Sequence, residues 1–248
     1  MIRLFLWTSA LLLFVGLSAC RNRADNPSSL AADDSLRTLI RQRIEQKMEL
    51  DRMRLKLLES GLGREILKYK PIIKKYSKRY GFDWRLIAAQ IVQESGFRIK
   101  ARSHKGASGL MQLMPQTARE ISRELDIQYI MRNPRENITA GIYHLHKQYR
   151  LFPNADRNNR VKLALASYNA GAGRVFDAQD IARYYKRPPN VWENVRPYLA
   201  MLKKTDWQLH LQVWPSGKPR FGYFYGYNET INYVENIWSM YQTYRHIF

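Results

Sequence analysis

Glu94 closes the apolar run Leu86-Ile87-Ala88-Ala89-Gln90-Ile91-Val92 and sits inside Gln93-Glu94-Ser95-Gly96-Phe97. At 100° per residue, Trp84, Ile87, Ala88, Ile91 and Val92 gather on one face of a helix, and Glu94, seven positions after Ile87, falls about 20° from that side chain. A carboxyl on the flank of a buried stripe loses hydration, so its neutral form is favoured. The negative end of the helix dipole acts in the same direction. Both effects predict a raised pKa, and an acid held protonated near neutral pH can donate to a bridging oxygen. From the helix alone, a partly exposed glutamate paired with Arg98, four residues on, fits equally well.

Three other segments hold groups that could serve such an acid. In Gly106-Ala107-Ser108-Gly109 the small residues let backbone amides approach a ligand closely. The following Leu110-Met111-Gln112-Leu113-Met114-Pro115 offers Gln112 as a hydrogen-bonding amide. Of Met111 and Met114, one is expected in the core and the other as a polarizable wall. Ser167-Tyr168-Asn169-Ala170-Gly171 adds an aromatic wall and a second amide, and Asn228-Glu229-Thr230-Ile231-Asn232-Tyr233-Val234 adds a phenol. Taken alone, Ser103 reads as a turn residue and Tyr233 as a core aromatic sharing a helix face with Val234, Ile237 and Tyr241.

In order and spacing these four segments resemble the motifs of the soluble-lytic-transglycosylase (SLT) family, lysozyme-like enzymes that cleave peptidoglycan without water. The resemblance covers roughly residues 66–244, with Ser167 where the family carries alanine. It implies an all-α, lysozyme-like catalytic domain. It also implies that Glu94 protonates the bond between N-acetylmuramic acid and N-acetylglucosamine, then deprotonates the muramic C6 hydroxyl, which attacks its own C1 to form a 1,6-anhydro ring. Ser103, Gln112, Met114, Tyr168 and Asn169 are carried over as substrate-binding residues, and Tyr233 as the hydroxyl that orients Glu94.

Glycosidases usually need two carboxyl groups. Here the only further Asp or Glu in a motif is Glu229, so the expectation is one carboxylate serving both steps, with ring closure favoured by effective molarity. No cofactor and no metal is expected, because no zinc, nucleotide, flavin or calcium-loop motif is present. Two alternatives stay open: a muramidase that uses water on the same fold, and a catalytically silent wall-binding lipoprotein.

The chain ends bound the compartment. Residues 1–19 read as a signal peptide, with Arg3 before an apolar stretch too short for a confident membrane span. Leu17-Ser18-Ala19-Cys20 resembles a lipobox, which makes Cys20 the expected lipidation site; a plain signal peptide with an incidental thiol is the alternative. Cys20 is the single cysteine, so no intramolecular disulfide forms. Arg21 is not the aspartate that retains some lipoproteins at the inner membrane, which points to the outer membrane, facing the periplasm. The excess of 41 Lys and Arg over 21 Asp and Glu, net +20, would suit nucleic acid, but the export signal argues for wall or membrane anions instead. The expected partners are peptidoglycan strands and, through the lipid, a membrane.

Four segments are expected: the signal peptide 1–19, an unfolded lipidated tether 20–34, a helix 35–62, and a catalytic domain 63–248. Leu36, Ile40, Ile44 and Met48 give the helix an apolar stripe, and a coiled partner, a stalk or the first helix of the domain all fit it. Gly61 and Gly63 read as its end. Beyond it, period and punctuation predict helices over 69–80, 84–95, 115–125, 138–149, 161–168, 191–203 and 230–244. The stretch 213–227, rich in Gly, Pro and aromatic residues, reads as a loop or short hairpin beside the groove.

Overall fold

The computed structural model describes residues 27–248, with side chains from Asp34 onward. Cys20, the signal peptide and the first part of the tether lie outside the described residues. Within them every regular element is helical, and two isolated bridges, Arg102 with Ser108 and Ser108 with Leu113, are the only β-pairing. The expected all-α class is what the chain adopts. No described helix is long and apolar enough to cross a membrane.

Helix α1 spans Pro27–Glu59. It starts eight residues before the expected Ser35 and so corrects the unfolded reading of the tether beyond Pro27. Proline suits a first helical turn, where its fixed φ is pre-set and its missing N–H is not needed. The described residues up to Met48 belong to one unit and Glu49–Phe248 form another. Along α1, Leu36, Ile40, Ile44 and Met48 are exposed.

Helix α2, Gly61–Tyr80, begins at the glycines expected to terminate a helix. Ser60 is its cap: its Oγ accepts from Gly63 N at 2.9 Å and donates to Leu57 O at 2.6 Å. A Cβ on Gly63 would stand 1.9 Å from the Leu57 carbonyl oxygen, so only glycine fits this corner. The helix also runs through Pro71 and starts eight residues before the expected residue 69. The Leu67 carbonyl loses its donor there, at a residue that is itself exposed.

Helices α3 (Trp84–Ser95), α4 (Pro115–Leu125), α5 (Pro134–Arg150), α6 (Arg157–Ala170) and α7 (Ala172–Tyr184) follow, then a short α8 (Trp192–Val195), α9 (Trp207–Val213) and α10 (Tyr227–Ile247). The helix expected over 191–203 is α8 continuing as a 3-10 turn, Arg196–Met201, because Pro197 cannot donate to an α-ladder. Neither α7 nor α9 was anticipated: no helix was expected between 168 and 191, where Gly171 and Gly173 flank the start of α7. Gly173 is there for packing, since its Cβ would lie 2.3 Å from the Phe221 ring.

The main core joins α3 to α2 and α10, and α6 to α5 and α10. Ile87, Ala88 and Ile91, Ile138 and Ile142, Leu163 and Ala164, and Val234 and Ile237 are its fully buried contributions. Each large one removed from water contributes about 1.5–3 kcal/mol. A smaller cluster of Leu113, Ala118, Ile121, Ile130 and Ala140 lies between α4 and α5, and Tyr168 packs against both clusters.

The 213–227 stretch contains no strand; it is a loop fastened to α7. Fully buried Asp177 accepts from Arg220 N and Phe221 N at 3.0 Å each, and Arg174 Nη1 donates to Gly222 O at 2.9 Å. Its burial pushes the Asp177 carboxyl up, against the pull of those two amides. This loop delivers the first turn of α10 to the site.

Candidate active site

Asp83 caps α3 by accepting from Arg85 N, and Gly96 at φ +57° stops it one residue after Ser95. Phe97 repeats the left-handed turn at φ +60°, a strained setting for an aromatic residue that is held by burial against Tyr69 at 6.2 Å between rings. Glu94 is thereby fixed at the last turn of α3, partly buried, on the floor of an open groove of about 640 Å³. Arg98, the alternative ion-pair partner, donates its Nε to Ser95 O at 3.0 Å instead.

Tyr233, buried on α10, donates its hydroxyl to Glu94 Oε1 at 2.5 Å, while Gln90 Nε2 donates to the same phenol oxygen at 3.1 Å. Burial pushes the Glu94 carboxyl up to about 8; the Tyr233 hydrogen bond pulls it down, and the charge of Glu229 raises it further. At neutral pH the group is a carboxylic acid with a proton to give.

The 106–115 turn is pinned from three sides. Ser108 and Leu113 exchange backbone hydrogen bonds at 3.0 and 3.1 Å. Ser95 Oγ donates to Leu110 O at 2.9 Å. Buried Asn137 donates to Ser108 O and Ile130 O at 3.1 Å each and accepts from Met111 N at 2.8 Å. Gly109, at φ +84°, is required by Asn137 rather than by a ligand: a Cβ there would meet Asn137 Nδ2 at 2.5 Å. Met111 is fully buried and Met114 is 42% exposed in the groove, which settles which methionine is core.

Ser103, Gln112, Met114, Tyr168, Asn169 and Tyr233 all line the groove with Glu94. Their side chains are not equally free. Gln112, at φ +44°, donates its amide to Ala101 O at 3.1 Å and to Gly109 O at 2.8 Å, bracing the turn and leaving Oε1 as its free acceptor. Ser103 Oγ accepts from Ala107 N at 3.0 Å and forms no hydrogen bond with Glu94. Tyr168 donates to Met111 O at 2.7 Å. Asn169 Oδ1 accepts from Thr230 Oγ1 at 2.7 Å, leaving its Nδ2 free. His144, edge-on to Tyr168 at 4.8 Å, is pushed down to about 4 by burial, so it stays neutral at pH 7.

Sequence reasoning passed over Gln90, His104, Lys105 and Asn232, and noticed Glu229 without placing it in the site. All but Gln90 line the groove. Helical period could have found two of them, because Gln90 precedes Glu94 by four residues and Glu229 precedes Tyr233 by four. Glu229, the one further motif carboxylate, is an exposed wall of the same groove, and its charge acts on Glu94.

The helical domain thus brings one partly buried glutamate, a phenol donating to it and an open groove of amides and aromatics together. Residues 71–190 match the family model described as the transglycosylase SLT domain. Membrane-bound lytic murein transglycosylase F of Desulfosudis oleivorans is 38% identical over 177 residues, 70% of this chain and 36% of that protein. The Vibrio campbellii protein of the same name is 33% identical over 186 residues, 74% of this chain and 32% of that one. The solved 70 kDa soluble lytic transglycosylase of Escherichia coli aligns at a TM-score of 0.47 with 26% identity, over 71% of this chain and 24% of that chain. The chain spans about a third of the length of the curated relatives it matches. Residues 71–190 form a domain of the SLT family of lytic transglycosylases.

Proposed function

We propose that the protein is a peptidoglycan lytic transglycosylase. The single observation that carries this is Glu94, an acid pushed up to about 8 at the floor of an open groove, with Tyr233 donating to its Oε1. In this reading Glu94 gives its proton to the oxygen between N-acetylmuramic acid and N-acetylglucosamine as that bond breaks. The resulting carboxylate then takes the C6 hydroxyl proton of the muramic residue while the C6 oxygen bonds to C1, closing a 1,6-anhydro ring and restoring the acid. The proton count balances within one residue, and Tyr233 stabilises the carboxylate of the intermediate stage. Asn169 Nδ2 and Gln112 Oε1 are the free polar atoms suited to an acetamido group, and Met114 is the apolar wall.

Glu229 favours one rival, a muramidase in which it activates water as the second carboxylate. Mass spectrometry of digested sacculi separates the two, because anhydro-muropeptides are lighter by one water than hydrolysed ones. Products carrying the extra water throughout would replace the transglycosylase reading with the hydrolytic one.

We also propose that Cys20 is lipidated and holds the protein at the outer membrane, facing the periplasm, with the cationic chain adsorbing to wall and lipid anions. Cys20→Ser should release the protein into the soluble fraction; retention at the membrane would refute the anchor.

A further inference from the structure

We propose that a second cleft, beside the groove, binds the acidic stem peptide of the strand being cut; this rests on the peptidoglycan reading above. The cleft, about 360 Å³, lies between α4 and the turn before α5, and Arg119, Ser122, Tyr129 and Arg132 line it. Its edge is Pro115, the residue after the groove-lining Met114, so the two cavities are lined by consecutive residues of the chain. A peptide leaving a muramic residue in the groove crosses Met114 to enter it.

Charge identifies the occupant. Neither Arg119 nor Arg132 has an ion pair or a hydrogen-bond acceptor among the described residues, whereas the neighbouring acids are committed. Glu124 holds Lys147 at 2.6 Å, Glu120 accepts from Gln116 at 3.2 Å, and Glu136 accepts from Tyr129 N at 2.6 Å. A neutral glycan has no use for two uncompensated guanidinium groups. A short peptide with free carboxylates does, because the planar fork binds a carboxylate in two places. The floor is apolar, built from buried Ala118 and Ile130, and Tyr129 is 58% exposed above it, which suits an aliphatic peptide body. The turn is held in shape, with Arg132 N and Asn133 N both donating to Tyr129 O at 2.9 and 2.7 Å.

The test compares the full-length protein with an Arg119→Ala/Arg132→Ala variant on two substrates, peptide-bearing sacculi and the same glycan stripped of peptides by an amidase. On the first, KM should rise about ten- to hundredfold, the worth of lost charge-assisted hydrogen bonds, with kcat retained. On stripped glycan the two proteins should turn over equally. A titration with free acidic stem tetrapeptide should give binding that the variant loses, and a tetrapeptide with amidated carboxylates should bind neither protein. If the alanine variant fails to fold, Arg119→Gln/Arg132→Gln takes its place. Unchanged KM on sacculi, equal losses on both substrates, or inorganic phosphate binding as tightly as the peptide would overturn the assignment. Continued cutting of stripped glycan would leave the transglycosylase reading intact even then. If the wild type cuts neither substrate, that reading fails, and the tetrapeptide titration alone decides the peptide site.

Discussion

The hydroxyl of Tyr233 and the Oε1 of Glu94, 139 residues apart in sequence, meet at 2.5 Å across the interface of α10 and α3. The bond ties the protonation of the acid to the packing of two helices. Gln90, one turn before Glu94, donates to the same phenol oxygen, so that Tyr233 can direct its single proton only towards the carboxylate.

Tyr233→Phe tests this coupling. The donated hydrogen bond favours the carboxylate and pulls its pKa down, so its loss should move the descending limb of the pH profile of kcat/KM above about 8. A hydrogen bond to a charged group is worth about 1.5–3 kcal/mol, and release of anhydro-muropeptides at pH 7 should fall by about ten- to hundredfold. An unshifted limb with unchanged turnover would return Tyr233 to a packing role.

Glu94→Gln removes the transferable proton and should lower turnover by at least about 10²–10⁴-fold, the usual share of general acid–base catalysis. It should also change how stability depends on pH. Because the folded-state pKa lies near 8 against 4.5 for the exposed group, protonation favours the folded chain. That contribution is fully present below about 4.5 and is lost as pH rises through about 8. The variant, with nothing to titrate there, should gain in Tm over the wild type between pH 5 and pH 9. A constant difference in Tm would mean that the carboxyl is not held protonated.

Glu229→Gln removes the negative charge that raises the Glu94 pKa. The descending limb should shift towards acid, opposite to the effect of Tyr233→Phe, and a double variant should restore part of the shift. Failure of the limb to move would show that solvent screens the exposed Glu229 completely.

Asn137→Ala should cost stability well away from the acid. It strands the Met111 amide and the Ile130 carbonyl, at about 1–3 kcal/mol for each buried group left unpaired, and leaves the Ser108 carbonyl with only its bond from Leu113 N. Thermal melting gives the loss directly, and binding of glycan should weaken with it, since the same turn carries Gln112 and Met114. A variant with wild-type Tm would mean that water replaces all three bonds.

Much of this site could be read from the chain because its parts are local. α3 ends at Gly96 and α4 begins at Pro115, as those residues say they should, since αL termination and a donor-free first turn are properties of single residues. The flank position of Glu94 follows from helical period alone. What could not be read depends on long-range contact. Gly109 looked like an opening for a ligand and is instead the space filled by Asn137, 28 residues on; Gly63 looked like a terminator and is a corner against Leu57. The α7 helix was hidden by Gly171 and Gly173, the second of which answers to Phe221 rather than to local propensity. Glu229 was visible as a residue, yet only the packing of α10 on α3 made it a neighbour of the acid.

Tyr168 is the side chain that the large and small hydrophobic clusters share, and its hydroxyl is fastened to the Met111 carbonyl at 2.7 Å. The wall that carries Glu94 and Tyr233 stands on the first cluster, whereas α4, which continues from Met114, stands on the second. The width of the cleft is therefore not a property of either core by itself. Tyr168 acts as a tie-rod between two independently packed abutments, and loosening the small one by truncating Ile121 or Ile130 should widen the span without touching any residue that lines the groove.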